Sequence, residues 1–286
     1  MTTSQSSSRS VFKDLASLLT GQLVFPEDAT YEQVRQLWNG GIQTRPAAIV
    51  RCANAQDVAH TIRWARAHRL ALSVRGGGHD YAGRALCAGG VVIDCSPMRA
   101  VTIDPAARTA RAQGGATAGD LINAARQDRL ATTTGTVSTV GMAGLTLGGG
   151  YGPLVGAYGL VTDNLLSAQV VTADGDLVTA SATEHADLFW GLRGGGNFGV
   201  VVALEYRLHP VTQVLAGLLL YPLDQASAVL RFHGEFIATA PDELTVQSGF
   251  LQMPDGPPAL FLSPVYCGPL AEGERALAPL RAFGQP

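Results

Sequence analysis

The chain has 286 residues and a formal net charge of −3, with 47% hydrophobic and 15% charged residues. This composition predicts a soluble globular protein of one large or two ordinary domains, and it gives no reason to propose nucleic acid or a membrane as a partner. Lys13 is the only lysine, which excludes a Walker A loop. The four cysteines are expected to be free buried thiols, and no histidine motif for a metal is present. Because residues 1–10 lack the apolar core of a secretory signal, we expect a cytoplasmic protein.

The first strong pattern is a β-α-β unit. Residues 47–52 and 71–74 are predicted to be strands, because both are short and mostly apolar. Between them Asn54 is placed to cap a helix that runs to about Arg69. With Asp57 at the third helical position, the start of this helix resembles a capping box.

The second of these strands leads into a glycine-rich loop, Arg75-Gly76-Gly77-Gly78-His79-Asp80. Glycines allow backbone N–H groups to approach a phosphate closely, and they permit positive φ where the chain turns around it. Open α/β sheets also place ligands at the carboxyl ends of strands. The loop predicts either an anion site with an imidazole beside it, or a tight turn followed by an ordinary hydrogen-bonded histidine.

A second glycine-rich region follows more strands and another capped helix. The strands are predicted at 91–94, 100–104 and 109–113. Thr117 with Asp120 caps a helix that extends to about Leu130. Residues 130–162 contain no charged residue and nine glycines, interspersed with threonine and serine. Ordering so many glycines is costly, so we expect a buried loop wrapped round a large ligand.

The next elements are predicted to be a hairpin and a long strand. Residues 166–172 and 177–180 flank the turn Ala173-Asp174-Gly175-Asp176. A GxGxxG pattern at 194–199 precedes the β-branched run 200–208, where a dinucleotide-binding fold requires a helix, so this match is interpreted as false. A second α+β region is then predicted from the segments 214–221, 226–239 and 245–252.

From about Arg45 to Val211 the motifs resemble, in order and content, the flavin domain of the vanillyl-alcohol oxidase/p-cresol methylhydroxylase flavoproteins. They are most similar to those of the berberine-bridge-enzyme-like oxidoreductases. The motifs that carry this resemblance lie at 37–40, 45–50, 74–79, 90–94, 114–116, 141–152, 159–166, 187–199 and 208–210.

The resemblance implies an α+β fold with a two-part FAD-binding domain of the p-cresol methylhydroxylase type, followed by the beginning of an antiparallel-sheet substrate domain. We expect an N-terminal arm at 1–44, the FAD-binding domain at 45–212 and a partial substrate domain at 213–286. Family members are considerably longer, so the chain is expected to be a fragment or a shortened form.

The resemblance also implies FAD attached covalently through His79. Many relatives have a second link from a cysteine, but Val137 stands at that position, so a single attachment is expected. Tyr151 is either a contact of the flavin ring or an aromatic core residue, and Asp163 with Asn164 is expected to cap a turn rather than to bond the cofactor. The implied cofactor-binding residues are Arg75, Gly76, Gly77, Gly78, His79, Asp80, Gly135, Ser138, Thr139, Gly141, Gly144, Gly148, Gly150, Tyr151, Val171, Gly199 and Val200.

The implied reaction is hydride transfer to FAD from a hydroxyl- or amine-bearing small molecule, such as a sugar, an alcohol or a secondary metabolite. Reoxidation by O2 would give H2O2. No catalytic base is assigned, because relatives take it from their carboxyl-terminal part; Glu205 and Glu235 are expected to have strand-face or solvated roles. The alternative is a non-catalytic FAD-binding remnant with an incomplete substrate domain.

Overall fold

The computed structural model describes residues 9–254 and 256–286. Its first sheet has four strands, of which the first pair is antiparallel and the others are parallel. Helix Ala55–Ala67 connects two of the parallel strands, which confirms the predicted β-α-β unit. In spatial order the strands are Gln22–Val24, Ala48–Arg51, Val91–Asp94 and Leu72–Arg75.

Only one of the two hydrogen bonds of the predicted capping box is present at the start of this helix. The side chain of Asn54 accepts a hydrogen bond from Asp57 N at 3.0 Å, as expected. The Asp57 carboxylate, however, does not return to the Asn54 N–H. It accepts instead from the N–H groups of Ala53 at 2.8 Å, Thr20 at 2.8 Å and Gly21 at 2.9 Å. The buried carboxylate therefore ties the amino-terminal segment to the helix.

The second sheet has five antiparallel strands. Helix Ala118–Ala125 packs on it and begins with the predicted capping box of Thr117 and Asp120. The helix ends before the expected Leu130: the 3-10 turn Arg126–Asp128 follows it, and Leu130–Ala131 pairs with His209–Pro210 as a short strand. The sheet's strands, in spatial order, are Val101–Asp104, Thr109–Gln113, Val200–Arg207, Leu165–Val171 and Leu177–Ser181.

Helix Ala55–Ala67 lies between the first and second sheets and joins them. Its buried face shares one hydrophobic cluster with strand residues from both sheets, including Val91, Val171 and Val200. At its surface Arg63 donates to the carbonyl oxygen of Gly175 at 2.9 Å, in the turn of the predicted hairpin. The relative position of the two sheets is therefore held by apolar packing and by polar contacts at the rim.

The third sheet is antiparallel and has its own hydrophobic cluster, built around Tyr221, Leu260 and Leu280. Its strands are Leu215–Ala216, Leu219–Pro222, Leu244–Gln252 and Pro258–Tyr266, and its helices are Ala226–Ile237 and Leu270–Ala282. Two of these elements, Pro258–Tyr266 and Leu270–Ala282, were not expected from the sequence. The single strand predicted at 214–221 is divided into two.

The uncharged segment 130–162 is not the continuous loop that the sequence predicted. It contains the helices Met142–Leu147 and Val155–Tyr158 and the beginning of the 3-10 turn Val161–Asn164. These turns satisfy much of its backbone hydrogen bonding internally, which a glycine-rich composition does not reveal. Further short helices lie at Lys13–Leu18, Tyr31–Arg35 and Ala186–Leu192.

Helix Ala186–Leu192 precedes the GxGxxG pattern and strand Val200–Arg207 follows it, so the dinucleotide-binding match is indeed false. All four cysteines are free: Cys52 and Cys95 are buried in the first sheet, whereas Cys87 and Cys267 are half-buried. In the part of the chain that the structure describes, no helix has the length and apolar character needed to cross a bilayer.

Candidate functional site

The loop after strand Leu72–Arg75 packs directly against the second glycine-rich segment. A Cβ atom added to Gly77 would lie 2.3 Å from the backbone nitrogen of Gly141, closer than real side chains approach. The next residue, Gly78, has a φ of +72°, which side chains rarely adopt. Glycine is therefore required at both positions for different reasons, and the two segments meet backbone to backbone.

His79 is half-buried where these segments meet. Its Nε2 lies 2.9 Å from the hydroxyl oxygen of Thr139, and its ring stacks on the indole of Trp38 with centroids 5.5 Å apart. Trp38 is anchored by its backbone N–H, which donates to the carbonyl oxygen of Gly78 at 3.0 Å. Burial lowers the pKa of His79 below the ordinary histidine value, which favours the neutral imidazole at neutral pH.

Three adjoining clefts surround these residues. The arginine cleft, of about 390 Å³, includes Arg75 and Arg99 in its wall. The histidine cleft, of about 310 Å³, includes His79 and shares Gly76 and Gly77 with the arginine cleft. The large cleft, of about 950 Å³, shares Val140, Gly144 and Leu145 with the histidine cleft. The clefts therefore adjoin one another through shared wall residues, with the histidine cleft next to both of the others.

The large cleft lies between the uncharged segment and the third sheet. Thr136 donates from its hydroxyl to the side-chain oxygen of Gln247 at 3.1 Å, and Gly156 N donates to the Thr245 hydroxyl at 3.1 Å, so both walls are joined by hydrogen bonds. None of the described residues that line it carries a charge. The third-sheet residues in its wall are Leu218, Thr245, Val246, Gln247, Ser248, Leu251, Phe261 and Ser263.

The predicted site residues of the uncharged segment fall on these clefts. Tyr151 is 69% exposed and lines the large cleft, so the alternative of an aromatic core residue is wrong. Of the other predicted residues in this segment, Ser138 and Thr139 line the arginine cleft and Gly141 the histidine cleft, and the rest belong to the large cleft: Gly135, Gly144, Gly148 and Gly150.

Arg75 and Asp80, the charged residues of the glycine loop, differ in how fully their hydrogen-bonding groups are paired. Arg75 donates to the carbonyl oxygen of Val34, but its Nε is buried without a hydrogen-bond partner among the described residues. Such a donor is suited to an anionic ligand. Asp80 is already engaged, because its carboxylate accepts from Arg84 Nη2 at 2.6 Å and from Arg84 N at 2.6 Å. The hydrogen bonds with Arg84 lower the pKa of Asp80. They also hold the end of the glycine loop in place.

Val171, Gly199 and Val200 are brought together, but away from the three clefts. Val171 and Val200 are paired across neighbouring strands and are buried, and neither lines any of the clefts. Gly199 has a φ of +149°, and a Cβ atom there would lie 2.6 Å from a methyl carbon of Val170. Their expected role in binding the cofactor stays a prediction.

The remaining polar residues have structural partners. Asp163 accepts from Leu160 N at 2.9 Å and Asn164 donates to the carbonyl oxygen of Tyr158 at 2.9 Å, which confirms the turn interpretation. Glu205 accepts from the hydroxyl of Ser167 at 2.8 Å on the second sheet, and Glu235 is exposed on a helix, as expected. Within the described ranges no group of three or more His, Cys, Asp or Glu residues could hold a metal.

The joined clefts fit FAD by their shape and chemistry. An arginine-bearing end suits a pyrophosphate, and a largely apolar end suits a flat ring system. A Cβ atom built on Gly144 would meet no atom within 4 Å, so the missing side chain leaves the shared wall open. Sequence reasoning missed Trp38 and the whole third-sheet wall. Trp38 could have been noticed as an aromatic in the 37–40 motif, which was used only for the family resemblance.

Comparison with known proteins supports this interpretation. Residues 46–181 match the family model described as "FAD binding domain". The chain is 36% identical over 282 residues to the (R)-6-hydroxynicotine oxidase of Paenarthrobacter nicotinovorans, and this match covers 93% of the chain and 59% of that oxidase. The chain thus spans about three fifths of the length of this relative.

Two solved structures have the same fold over almost the whole chain. The BBE-like 1 protein of Physcomitrella patens superposes with a TM-score of 0.85 at 27% identity, covering 96% of the chain and 60% of the moss protein. The xylooligosaccharide oxidase of Myceliophthora thermophila superposes with a TM-score of 0.84 at 27% identity, covering 96% and 58%. The chain carries an FAD-binding domain, and its homologues are FAD-linked oxidoreductases and proteins with berberine-bridge-enzyme-like structures.

Proposed function

We propose that the chain holds FAD along the three joined clefts, with the pyrophosphate against the 75–80 loop and the flavin ring between the histidine and large clefts. The unpartnered Nε of Arg75 and the open wall at Gly144 support this orientation. In this proposal residues 45–212 form the FAD-binding domain and 213–286 form part of a substrate domain, with 1–44 as an arm.

We further propose a covalent bond between His79 and the flavin. The observation that carries it is a half-buried imidazole, neutral at physiological pH, in the wall of a cleft next to the glycine loop. A neutral imidazole nitrogen is a nucleophile, whereas an imidazolium is not. Val137 is 49% exposed in the wall of the large cleft and offers no thiol, so the attachment is single.

The proposed reaction is oxidation of a hydroxyl- or amine-bearing small molecule, with O2 as the electron acceptor and H2O2 as the product. When bound, FAD supplies the hydride acceptor. The chain's own contribution is binding and exclusion of water: Val140, Leu145 and Tyr151 flank the proposed ring position, and Phe261 closes the opposite wall. Because the lining is uncharged and mainly apolar, a neutral substrate is favoured over a carboxylate.

Acid precipitation of the purified protein tests the covalent attachment. Yellow flavin should remain with the wild-type pellet, and His79→Ala should release it into the supernatant. Peptide mapping should find flavin on His79 alone. Complete release from the wild type would refute the covalent bond, and flavin joined to Cys52, Cys87, Cys95 or Cys267 would refute single attachment.

The second candidate function is FAD binding without catalysis. One observation favours it: apart from Tyr151, the large cleft has no ionisable side chain among its described lining residues to accept a substrate proton. Anaerobic mixing with a panel of sugars, alcohols and amines separates the two candidates. Bleaching of the flavin followed by H2O2 release in air supports the oxidase, and a flavin that stays oxidised supports the binding protein.

A further inference from the structure

We infer that Thr139 and Trp38 are positioning residues that present Nδ1 of His79, rather than Nε2, to the flavin. This inference rests on the proposed covalent attachment and goes beyond it, because it names the residues that orient the imidazole. Neither residue needs to touch the reacting atoms, since both act through the imidazole ring.

The hydrogen bond to Thr139 distinguishes the two ring nitrogens. Nε2 lies 2.9 Å from the Thr139 hydroxyl oxygen, whereas no hydrogen bond among the described residues involves Nδ1. In a neutral imidazole one nitrogen carries the proton and the other carries the lone pair. When Thr139 accepts the Nε2 proton, the nucleophilic lone pair is on Nδ1.

Thr139 is itself held firmly against the glycine loop. Its carbonyl oxygen would lie 3.0 Å from a Cβ atom on Gly77, and Gly141, two residues later, makes the backbone contact described above. The hydroxyl and the imidazole are therefore carried by two segments that cannot separate without breaking the glycine packing. The packing of the two segments therefore holds Thr139 and His79 within hydrogen-bonding distance.

Trp38 sets the plane of the ring. The indole and imidazole rings are inclined by 23°, and Trp38 is 62% exposed. Its backbone N–H bond to Gly78 places the indole next to the loop that carries the histidine. A large exposed aromatic side chain at this position is explained by its contact with the imidazole face.

The attachment step balances with O2 as the oxidant. A bond forms between Nδ1 and the flavin's C8 methyl carbon; one proton leaves that methyl group and one leaves Nε2. The two electrons pass to the flavin and then to O2, which takes up two protons and becomes H2O2. The Thr139 hydroxyl accepts the hydrogen bond from Nε2–H before the step and donates to the bare Nε2 afterwards, because a hydroxyl does both.

The tautomer is tested first, on the full chain without flavin, by ¹⁵N NMR of labelled imidazoles, with His79→Ala assigning the signal. Wild-type His79 should be protonated on Nε2 at neutral pH. Thr139→Val should abolish this preference, and Thr139→Ser should restore it. Thr136→Val removes a hydroxyl of the same segment that contacts Gln247 instead, so it should leave the tautomer unchanged. A wild-type His79 protonated on Nδ1 would overturn the inference.

The rate of covalent incorporation is tested second, by intact mass and acid-stable flavin fluorescence after adding FAD. Loss of one hydrogen bond that fixes the reacting geometry predicts about tenfold slower incorporation in Thr139→Val. Trp38→Leu should also slow it, and Trp38→Phe less so. Non-covalent FAD binding is measured for each substitution on the His79→Ala background, so that a slower covalent step is distinguished from weaker binding of FAD.

The outcomes separate this inference from the proposed function. If the wild type takes up no covalent flavin, the proposed attachment fails. If the wild type is flavinylated and Thr139→Val reacts equally fast, or Thr139→Ser is as slow as Thr139→Val, the positioning role of Thr139 is refuted while the attachment stands. Equal rates for Trp38→Leu and the wild type would refute the role of Trp38 alone.

Discussion

Two loops of this chain have nearly the same sequence and differ in what their glycines do. Arg75-Gly76-Gly77-Gly78-His79 follows a strand, whereas Arg193-Gly194-Gly195-Gly196-Asn197 follows a helix. In the first loop Gly76 and Gly77 have ordinary φ angles, and Gly77 is pressed against another backbone. In the second loop Gly194 has no neighbour within 4 Å of its built Cβ, but its φ is +115°.

The contrast lies between Gly77 and Gly194, because Gly78 in the first loop also has a positive φ and Gly195 in the second loop also lies close to a backbone oxygen. At Gly77 a side chain has no space, and at Gly194 a side chain has space but an unfavourable backbone angle. The second loop confirms this pattern with positive φ angles at Gly196 and Asn197, of +60° and +68°. Only the first loop brings two segments of the proposed cofactor site together.

The largest effect is expected from Gly77→Ala. Its new Cβ would lie 2.3 Å from Gly141 N, so the two glycine segments must move apart, at a cost of about 3 kcal/mol in the free energy of unfolding. Chemical denaturation measures this cost, and gel filtration with excess FAD measures flavin retention, which should be lost. A folded Gly77→Ala protein that retains flavin normally would contradict the proposed placement of FAD at this contact.

Gly194→Ala should destabilise the protein less, through backbone strain rather than through a steric clash. The substitution meets no neighbour but places a side chain at a φ of +115°, which costs about 1–2 kcal/mol in the free energy of unfolding. Flavin retention should not change, because Gly194 lies outside the three clefts. If Gly194→Ala released flavin as readily as Gly77→Ala, the contrast between the loops would be wrong.

The smallest effect is expected at the Asp80–Arg84 pair. The hydrogen bonds from Arg84 lower the pKa of Asp80, so the pair stabilises the fold above the ordinary aspartate pKa of about 4, and this contribution is lost as the pH falls through the lowered value. The pair is partly exposed, with Asp80 at 28% and Arg84 at 81%, so Asp80→Asn should cost no more than about 1 kcal/mol.

Denaturation curves at pH 7 and at pH 3 measure this effect. The difference between Asp80→Asn and the wild type should shrink at the lower pH, because the wild-type carboxylate begins to take up a proton. Asn197→Asp places an extra carboxylate in the second loop and serves as the control for charge alone. A difference that grows on acidification would mean that Asp80 has another role.

Strong local patterns made the FAD-binding part of the chain predictable from its sequence. The β-α-β unit combines short, mostly apolar strands with the Asn54 cap, and the glycine loop follows it directly, so both the strand end and His79 could be placed. The motif order from Arg45 to Val211 supplied the family, which composition and periodicity alone do not. Residues predicted as site residues in the 141–152 segment line the clefts, and their binding of a cofactor stays a prediction; the segment's helix was missed.

The third sheet's part of the site could not be predicted in the same way. Strand Pro258–Tyr266 begins with one proline and contains another at Pro264, and helix Leu270–Ala282 contains Pro279, so local rules argue against both elements. Contacts such as that between Thr136 and Gln247 join residues more than a hundred positions apart. Such pairing depends on tertiary packing, which no local pattern encodes.

The buried thiols of the first sheet provide a natural chemical probe of its opening. Burial raises the pKa of Cys95 to about 12, and burial also raises the pKa of Cys52 well above its usual range, so neither forms the reactive thiolate while the sheet is closed. Cys52 N donates to the carbonyl oxygen of Asp94, and Cys52 and Cys95 directly follow the adjacent strands Ala48–Arg51 and Val91–Asp94. Alkylation of this pair must wait until the strands separate, and its rate therefore reports local unfolding. Because the same sheet supports the glycine loop, the alkylation rate also measures how often the support of that loop opens.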